Sequence, residues 1–333
     1  MSDGTGSNLI DKLDNSSILK KNLKKNITTV FPSTTGCVLT SIVTAQFPEI
    51  HGIWGWFNYN RDLKRDYYPL LFADRKSMES LNQFNIKSED IYKSESILKK
   101  LNVKTNILFP NYICDSVYSK FVGNDKDRYP YNDFSDIKKI ICNIYENNNS
   151  SYTYLYLSDI DTLEHENGLD SEIVLEKLNE IDNLVKDLSK LKDITIVFTA
   201  DHGQTNINED IVFDFSKYDK YFYANPSIDF GTASYYIKFG MEEEFEKEFE
   251  KDFKDKMYLF KTKEFIDNKF FGEGNMNNYS FQNLGEYISL CKTGSYLINS
   301  LDTSSYFGKI KGNHSGLTKD EMLIPLIIIN TNK

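Results

Sequence analysis

The chain of 333 residues sets 39 Lys and Arg against 49 Asp and Glu, a formal net charge of −10. That balance argues against a nucleic-acid groove or an anionic membrane surface as the main partner, and an anionic substrate would need local positive charge such as bound metal ions supply. With 40% hydrophobic and 14% aromatic residues, the chain can bury a large core, as one big α/β domain with an insertion or as two domains.

Near the start, Asp3 sits in a tight Asp-Gly turn, and Leu9, Ile10, Leu13, Ile18, Leu19 and Leu23 recur at roughly helical spacing. A short strand is expected at 27–31. The chain then turns through Pro32, Ser33, Thr34 and Thr35 into a helix at 36–45, with Val38, Leu39, Ile42 and Val43 at three- and four-residue spacing. The hydroxyls after Pro32 are good N-cap residues. A hydroxyl held there faces unpaired N–H groups and the positive end of the helix dipole, where phosphate binds well. An ordinary capped strand–helix turn has the same pattern.

Residues 54–75, WGWFNYNRDLKRDYYPLLFADR, lack a clean period. They are expected to form an irregular loop over the site, where bases or sugars could stack, or else aromatic packing at a domain edge. Helical segments are expected at 94–101 and 133–145, a strand at 105–110 and a loop at 146–151. The strand YTYLYL at 152–157 runs into Ser158, Asp159, Ile160, Asp161, Thr162, Leu163, Glu164 and His165. A long amphipathic helix comes next at 171–191, and the strand at 194–199 ends at Ala200, Asp201, His202 and Gly203. Strand, helix and strand in succession predict a mostly parallel central sheet with helices on both faces. In such sheets functional groups sit just beyond the carboxyl ends of strands.

From residue 233 the texture changes to a strand at 234–239 and a charged helix at 241–255, with Phe245, Phe249 and Phe253 on one stripe. Residues 210–305 are expected to form a smaller α+β cap on a core of 1–209 and 306–333. The chain returns through Gly312, Asn313, His314, Ser315 and Gly316 to a last helix and strand, KDEMLIPLIIIN. No run is apolar enough for a membrane span, and the polar start MSDGTGSN does not read as a signal peptide. Cys37, Cys114, Cys142 and Cys291 lack paired ligand spacing, so free thiols in a cytoplasmic setting are expected.

The chemistry lies in four clusters. Asp161 and His165 share a face if their segment is helical. Asp201 and His202 are adjacent in a loop, Asp3 is in a turn, and His314 lies among glycines and small polar residues. Carboxylate and imidazole ligands in this mix suit Zn²⁺ or Mn²⁺. A lone Asp-His pair is more often a hydrogen-bonded turn, yet these clusters use three of the four histidines in the chain.

As a set, DGTG, FPSTT with LTSIVTAQFPEIHGI after it, SDIDTLEH, TADHG and GNHSGLTKDEMLIPLII resemble the alkaline phosphatase superfamily, in its type I phosphodiesterase/nucleotide pyrophosphatase branch. KEFIDNKFFG and LGEYISL also look like segments of its bacterial members. The resemblance spans nearly the whole length and implies a parallel-sheet α/β fold, two divalent ions, usually zinc, and a Thr nucleophile. It implies that Asp3, Asp201, His202 and the Thr35 hydroxyl hold one ion, while Asp161, His165 and His314 hold the other. A phosphoric-ester hydrolase acting on a small phosphodiester or pyrophosphate is expected, with phosphonate hydrolysis or a non-catalytic metal-binding relative as alternatives.

Two departures stand out. Where nucleotide pyrophosphatases place an Asn after H-G-I, this chain has Trp56. Only Met1 and Ser2 precede the first Asp-Gly, where the family has an apolar strand, so a central strand is expected to be missing; upstream apolar residues would then raise stability and metal affinity. His51 is expected to tie down the turn after Pro48. Cys37 lacks the Cys/Ser-x-Pro-x-Arg context of a sulfatase nucleophile.

Overall fold

The computed structural model describes residues 1–147, 150–292, 295–299 and 310–331. Two short helices, α1 (Ser7–Lys12) and α2 (Ile18–Lys21), lead to strand β1 (Leu23–Thr28), and α3 (Thr35–Thr44) comes after the Pro32 turn. Next are β2 (Lys104–Pro110), β3 (Arg128–Tyr131), α4 (Phe134–Asn147), β4 (Ser151–Leu155), α5 (Asp159–Asn167), α6 (Glu172–Leu188) and β5 (Thr195–Phe198). The second half holds β6 (Phe222–Ile228), β7 (Thr232–Ile237), α7 (Glu242–Phe253), β8 (Met257–Lys261), β9 (Tyr287–Cys291) and finally β10 (Leu323–Asn330).

Two three-stranded units carry the core. In the order β3-β2-β4 all strands are parallel, whereas in β1-β10-β5 they are antiparallel. Met1 to Asp3 bridges the two. The Met1 amine and the Asp3 N–H donate to Leu155 and Leu157 carbonyls on one side, and the Ser2 N–H donates to the Thr199 carbonyl on the other.

Side-chain alternation along these strands builds two cores, as a period of two demands. Leu108 and Leu157 face one side, against Leu9 and Ile10 of α1, Ile137 and Ile144 of α4, and Val174, Leu178, Ile181 and Val185 of α6. Ile107, Phe109, Tyr154 and Tyr156 face the other, against Leu39 and Val43 of α3. Helices therefore cover both faces. A four-stranded antiparallel sheet, β6-β7-β9-β8, buries the Phe245, Phe249 and Phe253 stripe of α7.

Several expectations need correction. The central sheet is parallel in three strands only, because β10 begins beside the site while β5 ends there; the Gly203 N–H bonds to the Glu321 carbonyl just before β10. An apolar run looks alike in either direction, and only this connection sets its sense. The strand expected at 27–31 is β1, displaced to Leu23–Thr28. Within 94–101 only the 3₁₀ turn Ile97–Lys99 forms, and Leu98 is its one buried side chain, too little apolar contact to sustain a longer helix. Residues 54–75 are ordered by a three-stranded antiparallel sheet of Asn58–Asn60, Arg65–Tyr68 and Ala73–Asp74. Trp54, Tyr67 and Phe72 are buried, so most of its aromatics serve as core. Part of the expected cap boundary near 305 lies outside the described residues.

His51 ties down the turn after α3. Its Nδ1 accepts the Ile53 N–H at 3.1 Å, so the ring proton sits on Nε2 and points at Ser41 Oγ, 2.8 Å away. Burial pushes its pKa from 6.5 down to about 3. The unfolded chain therefore binds a proton that the folded one refuses. This contribution to stability is full above about pH 6.5 and shrinks as pH falls toward 3. Between pH 6.5 and 4.5 the loss should be roughly 2–3 kcal/mol. Urea unfolding of wild type and His51→Gln across that range checks this: the variant should lose less stability per pH unit, and equal slopes would exclude the assignment.

Candidate active site

The tips of β4 and β5 and the Met1–Asp3 bridge all end on the same side, which brings the acidic and imidazole residues together. Gly4, at φ +70°, lets the Asp3 turn pass against the Asp161 backbone; a Cβ there would lie 2.8 Å from the Asp161 Cα. The Gly4 N–H donates to Asp201 Oδ1 at 3.1 Å. Asp3 Oδ1 lies 3.5 Å from His202 Nε2, and Asp201 Oδ2 lies 3.8 Å from it. Asp161 Oδ1 lies 3.4 Å from His165 Nε2 and 3.8 Å from His314 Nε2. The His202 and His314 rings stack at 3.8 Å. Thr35 Oγ1, at the first residue of α3, is 3.2 Å from His202 Nε2. All seven residues singled out from the sequence thus meet at one place.

The imidazoles share one orientation. The Nδ1 of His165 faces the Gly312 carbonyl at 2.8 Å, that of His202 the Gly203 carbonyl at 3.1 Å, and that of His314 the Ser33 carbonyl at 2.9 Å. A carbonyl only accepts, so each Nδ1 carries the proton. On a neutral ring each Nε2 then turns its lone pair into the site, the arrangement that orients metal-ligating histidines.

The carboxylates fit a cation equally well. Asp3 Oδ1 and Asp201 Oδ2 are buried and receive no hydrogen bond from the described residues. Burial, and then the Asp201 charge beside it, push the Asp3 pKa well up. Burial raises that of Asp161 too, but the facing His165, His314 and His202 rings hold it well below the usual carboxylate range. For His165, burial acts downward and is outweighed by Asp161, which brings it to about 9. Two triads, Asp3/Asp201/His202 and Asp161/His202/His314, place ligand atoms within 4.8 Å of one another. A divalent ion would relieve both the crowded charge and the orphaned oxygens.

The sequence profile of the type I phosphodiesterase/nucleotide pyrophosphatase family matches residues 2–257. The chain belongs to this family.

Members of the family hydrolyse phosphoric esters, and the chain is an enzyme of that kind. Its fold is similar to murine ectonucleotide pyrophosphatase/phosphodiesterase 5, with TM-score 0.73 and 17% identity, covering 98% of this chain and 86% of that one. An inactive threonine-to-alanine variant of the murine protein, in complex with AMP, gives TM-score 0.72 and 18% identity over 97% and 85% of the two chains. Phosphonoacetate hydrolase from Sinorhizobium meliloti 1021, in complex with phosphonoformate, gives TM-score 0.71 and 13% identity over 98% and 88%. No curated protein matches the sequence.

Around this family's site, further residues matter that motif reading passed over. The Tyr156 hydroxyl donates to Asp3 Oδ2 and aims it. Gln204, fully buried one residue past Gly203, donates its Nε2 to Asp161 Oδ1 at 2.6 Å and to the Asp161 carbonyl at 3.0 Å. Its place directly after a strand-end Asp-His-Gly was the only available signal. Gln204→Leu should weaken zinc binding about 10- to 100-fold, as loss of ligand-orienting partners does. Competition titration with a chromogenic chelator measures it, and unchanged affinity would rule out the orienting role.

Trp56 is half-buried, edge-on to Tyr68 at a centroid distance of 5.7 Å. Asn58, two residues on, does not replace the absent Asn. It accepts the Trp54 and Gly55 N–H groups and donates to the Gly52 carbonyl, which makes it a brace of the loop. Among the described residues no helix is long and apolar enough to cross a membrane. Cys37, Cys114, Cys142 and Cys291 are free thiols.

Proposed function

We propose that the chain is a two-metal phosphodiesterase or pyrophosphatase whose nucleophile is Thr35, on a core of 1–209 and 306–333 with a cap at 210–305. Asp3, Asp201, His202 and Thr35 would hold one divalent ion, and Asp161, His165 and His314 the other. The observation that carries this reading is the set of three imidazoles, each pinned by Nδ1 to a backbone carbonyl and offering Nε2 to buried carboxylates beside one threonine hydroxyl. The hard and borderline donor set favours Zn²⁺, with Mn²⁺ second. Bound, such ions supply Lewis acidity that lowers the hydroxyl pKa and offsets phosphate charge.

The chain's own groups do the rest. Thr35 Oγ1 gives up its proton to solvent and attacks phosphorus in line with the leaving oxygen; the bond to that oxygen breaks as the phosphothreonine forms, and water then hydrolyses it and restores the hydroxyl. The N–H groups of Thr35, Gly36 and Cys37, at the first turn of α3, have no acceptor among the described residues and lie beside that oxygen. They suit a developing negative charge on the phosphoryl oxygens. AMP in the murine relative and the free thiols support a small nucleotide-like ester and a cytoplasmic setting.

Phosphonate hydrolysis is the second reading, favoured by the likeness to phosphonoacetate hydrolase and by Trp56 at the usual Asn position. Zinc-loaded protein assayed on bis-p-nitrophenyl phosphate, p-nitrophenyl phosphate and phosphonoacetate separates them. The diester should turn over fastest; a preference for phosphonoacetate selects the second reading, and no turnover on any of the three counts against both.

A further inference from the structure

The helix that presents Thr35 lacks its expected cap. Thr34 is the N-cap residue of α3, with extended backbone at φ −130° and ψ 142°, yet its hydroxyl makes no bond to the first-turn N–H groups. Such threonines ordinarily accept from the second or third helical amide. Here the Thr34 hydroxyl instead donates at 2.7 Å to Asp229 Oδ2, from the tip of the β6–β7 hairpin. Asp229 is 8% exposed, and its other oxygen accepts the Phe230 N–H at 2.8 Å.

That tip is held hard. Ile228 has φ +86°, unusual for a β-branched residue, and exchanges both backbone bonds with Phe57. A Cβ on Gly55 would lie 2.5 Å from the Ile228 carbonyl oxygen, so only glycine fits beneath the hairpin. On the other side, the Gly231 N–H donates to Ser315 Oγ at 3.0 Å, and the Thr232 hydroxyl donates to the Ser315 carbonyl at 2.5 Å. The Ser315 N–H and the His314 ring both bond to the Ser33 carbonyl. The hairpin, the His314 loop and the Thr35 turn form one clamped junction.

We propose that Asp229 is a positioning residue of the nucleophile. It draws the Thr34 hydroxyl outward, which leaves the Gly36 and Cys37 N–H groups open toward a phosphoryl group and sets the rotation at which Thr35 enters the helix. Without it, the freed Thr34 hydroxyl turns in and caps those same amides. The hairpin thereby couples the second sheet to the catalytic turn. The value of this for catalysis rests on the hydrolase reading above, but the hydrogen-bond exchange does not.

The test uses zinc-loaded full-length protein carrying Asp229→Ala, Thr34→Val, Thr34→Ser or both of the first two changes. Amide hydrogen exchange at Gly36 and Cys37 should slow in Asp229→Ala and not in Thr34→Val, which has no hydroxyl to turn in. With bis-p-nitrophenyl phosphate, kcat should fall about 10- to 100-fold in Asp229→Ala and in Thr34→Val, with KM changed less than about threefold, the scale on which small misplacement of reacting groups acts. The double variant should be no worse than either single one, and Thr34→Ser should recover most of the rate. Unchanged exchange in Asp229→Ala, or losses that multiply in the double variant, would overturn the proposal. If wild type turns over no ester, the hydrolase reading fails, while the exchange result alone still decides whether Asp229 diverts Thr34.

Discussion

Thr35→Ala is expected to lower kcat/KM on a phosphodiester by at least about 10³-fold, roughly 4 kcal/mol of transition-state stabilisation. The hydroxyl lies both at the helix start and 3.2 Å from His202 Nε2. Removing it deletes the group that would bond to phosphorus, and water must substitute from a less ordered position. The six carboxylate and imidazole donors remain, so zinc content by elemental analysis and the melting temperature should stay close to wild type. Thr35→Ser, which keeps the oxygen, should retain measurable turnover. If alanine and wild type hydrolyse the diester at the same rate with equal zinc, some other group is the nucleophile.

Metal removal should have the second large effect, on both activity and stability. Chelation leaves Asp3 and Asp201 facing each other in a buried place, with two carboxylate oxygens that receive no hydrogen bond from the described residues. Zinc at about 1,000 times its dissociation constant should stabilise the folded chain by about 4 kcal/mol, seen as a melting temperature that rises with zinc concentration. Loading must also displace protons. Without metal, Asp3 is driven toward its neutral form by burial and Asp201, and His165 holds a proton up to about pH 9 through Asp161.

Both must lose those protons to become ligands. Zinc affinity should therefore climb as pH rises from 6 to 8, by about one logarithmic unit per pH unit for each proton released. The sign is positive because protons and metal compete for the same lone pairs, and the competition ends once pH passes the raised His165 value. Calorimetry in two buffers of different ionisation enthalpy counts the protons. Zinc binding that releases none, or a melting temperature indifferent to zinc, would remove the metal site from this region.

The amino-acid order by itself determined where the reactive groups stand along the chain. Asp161, Asp201 and their histidine neighbours come directly after apolar strands, and a strand that must be buried delivers the next few residues to one edge of the sheet. The Phe245, Phe249 and Phe253 stripe and the α6 helix were legible for the same reason: period and burial are local properties. Strand sense, side-chain partners and loop order were not local. β10 runs antiparallel because its entry loop docks on Gly203, and residues 54–75 gain a sheet because Trp54, Tyr67 and Phe72 find a core to enter. Gln204, Tyr156 and Asp229 acquired their roles only from contacts 43, 153 and 195 residues away in sequence. A hydrogen bond selects its partner by position in space, and only the folded chain fixes that position.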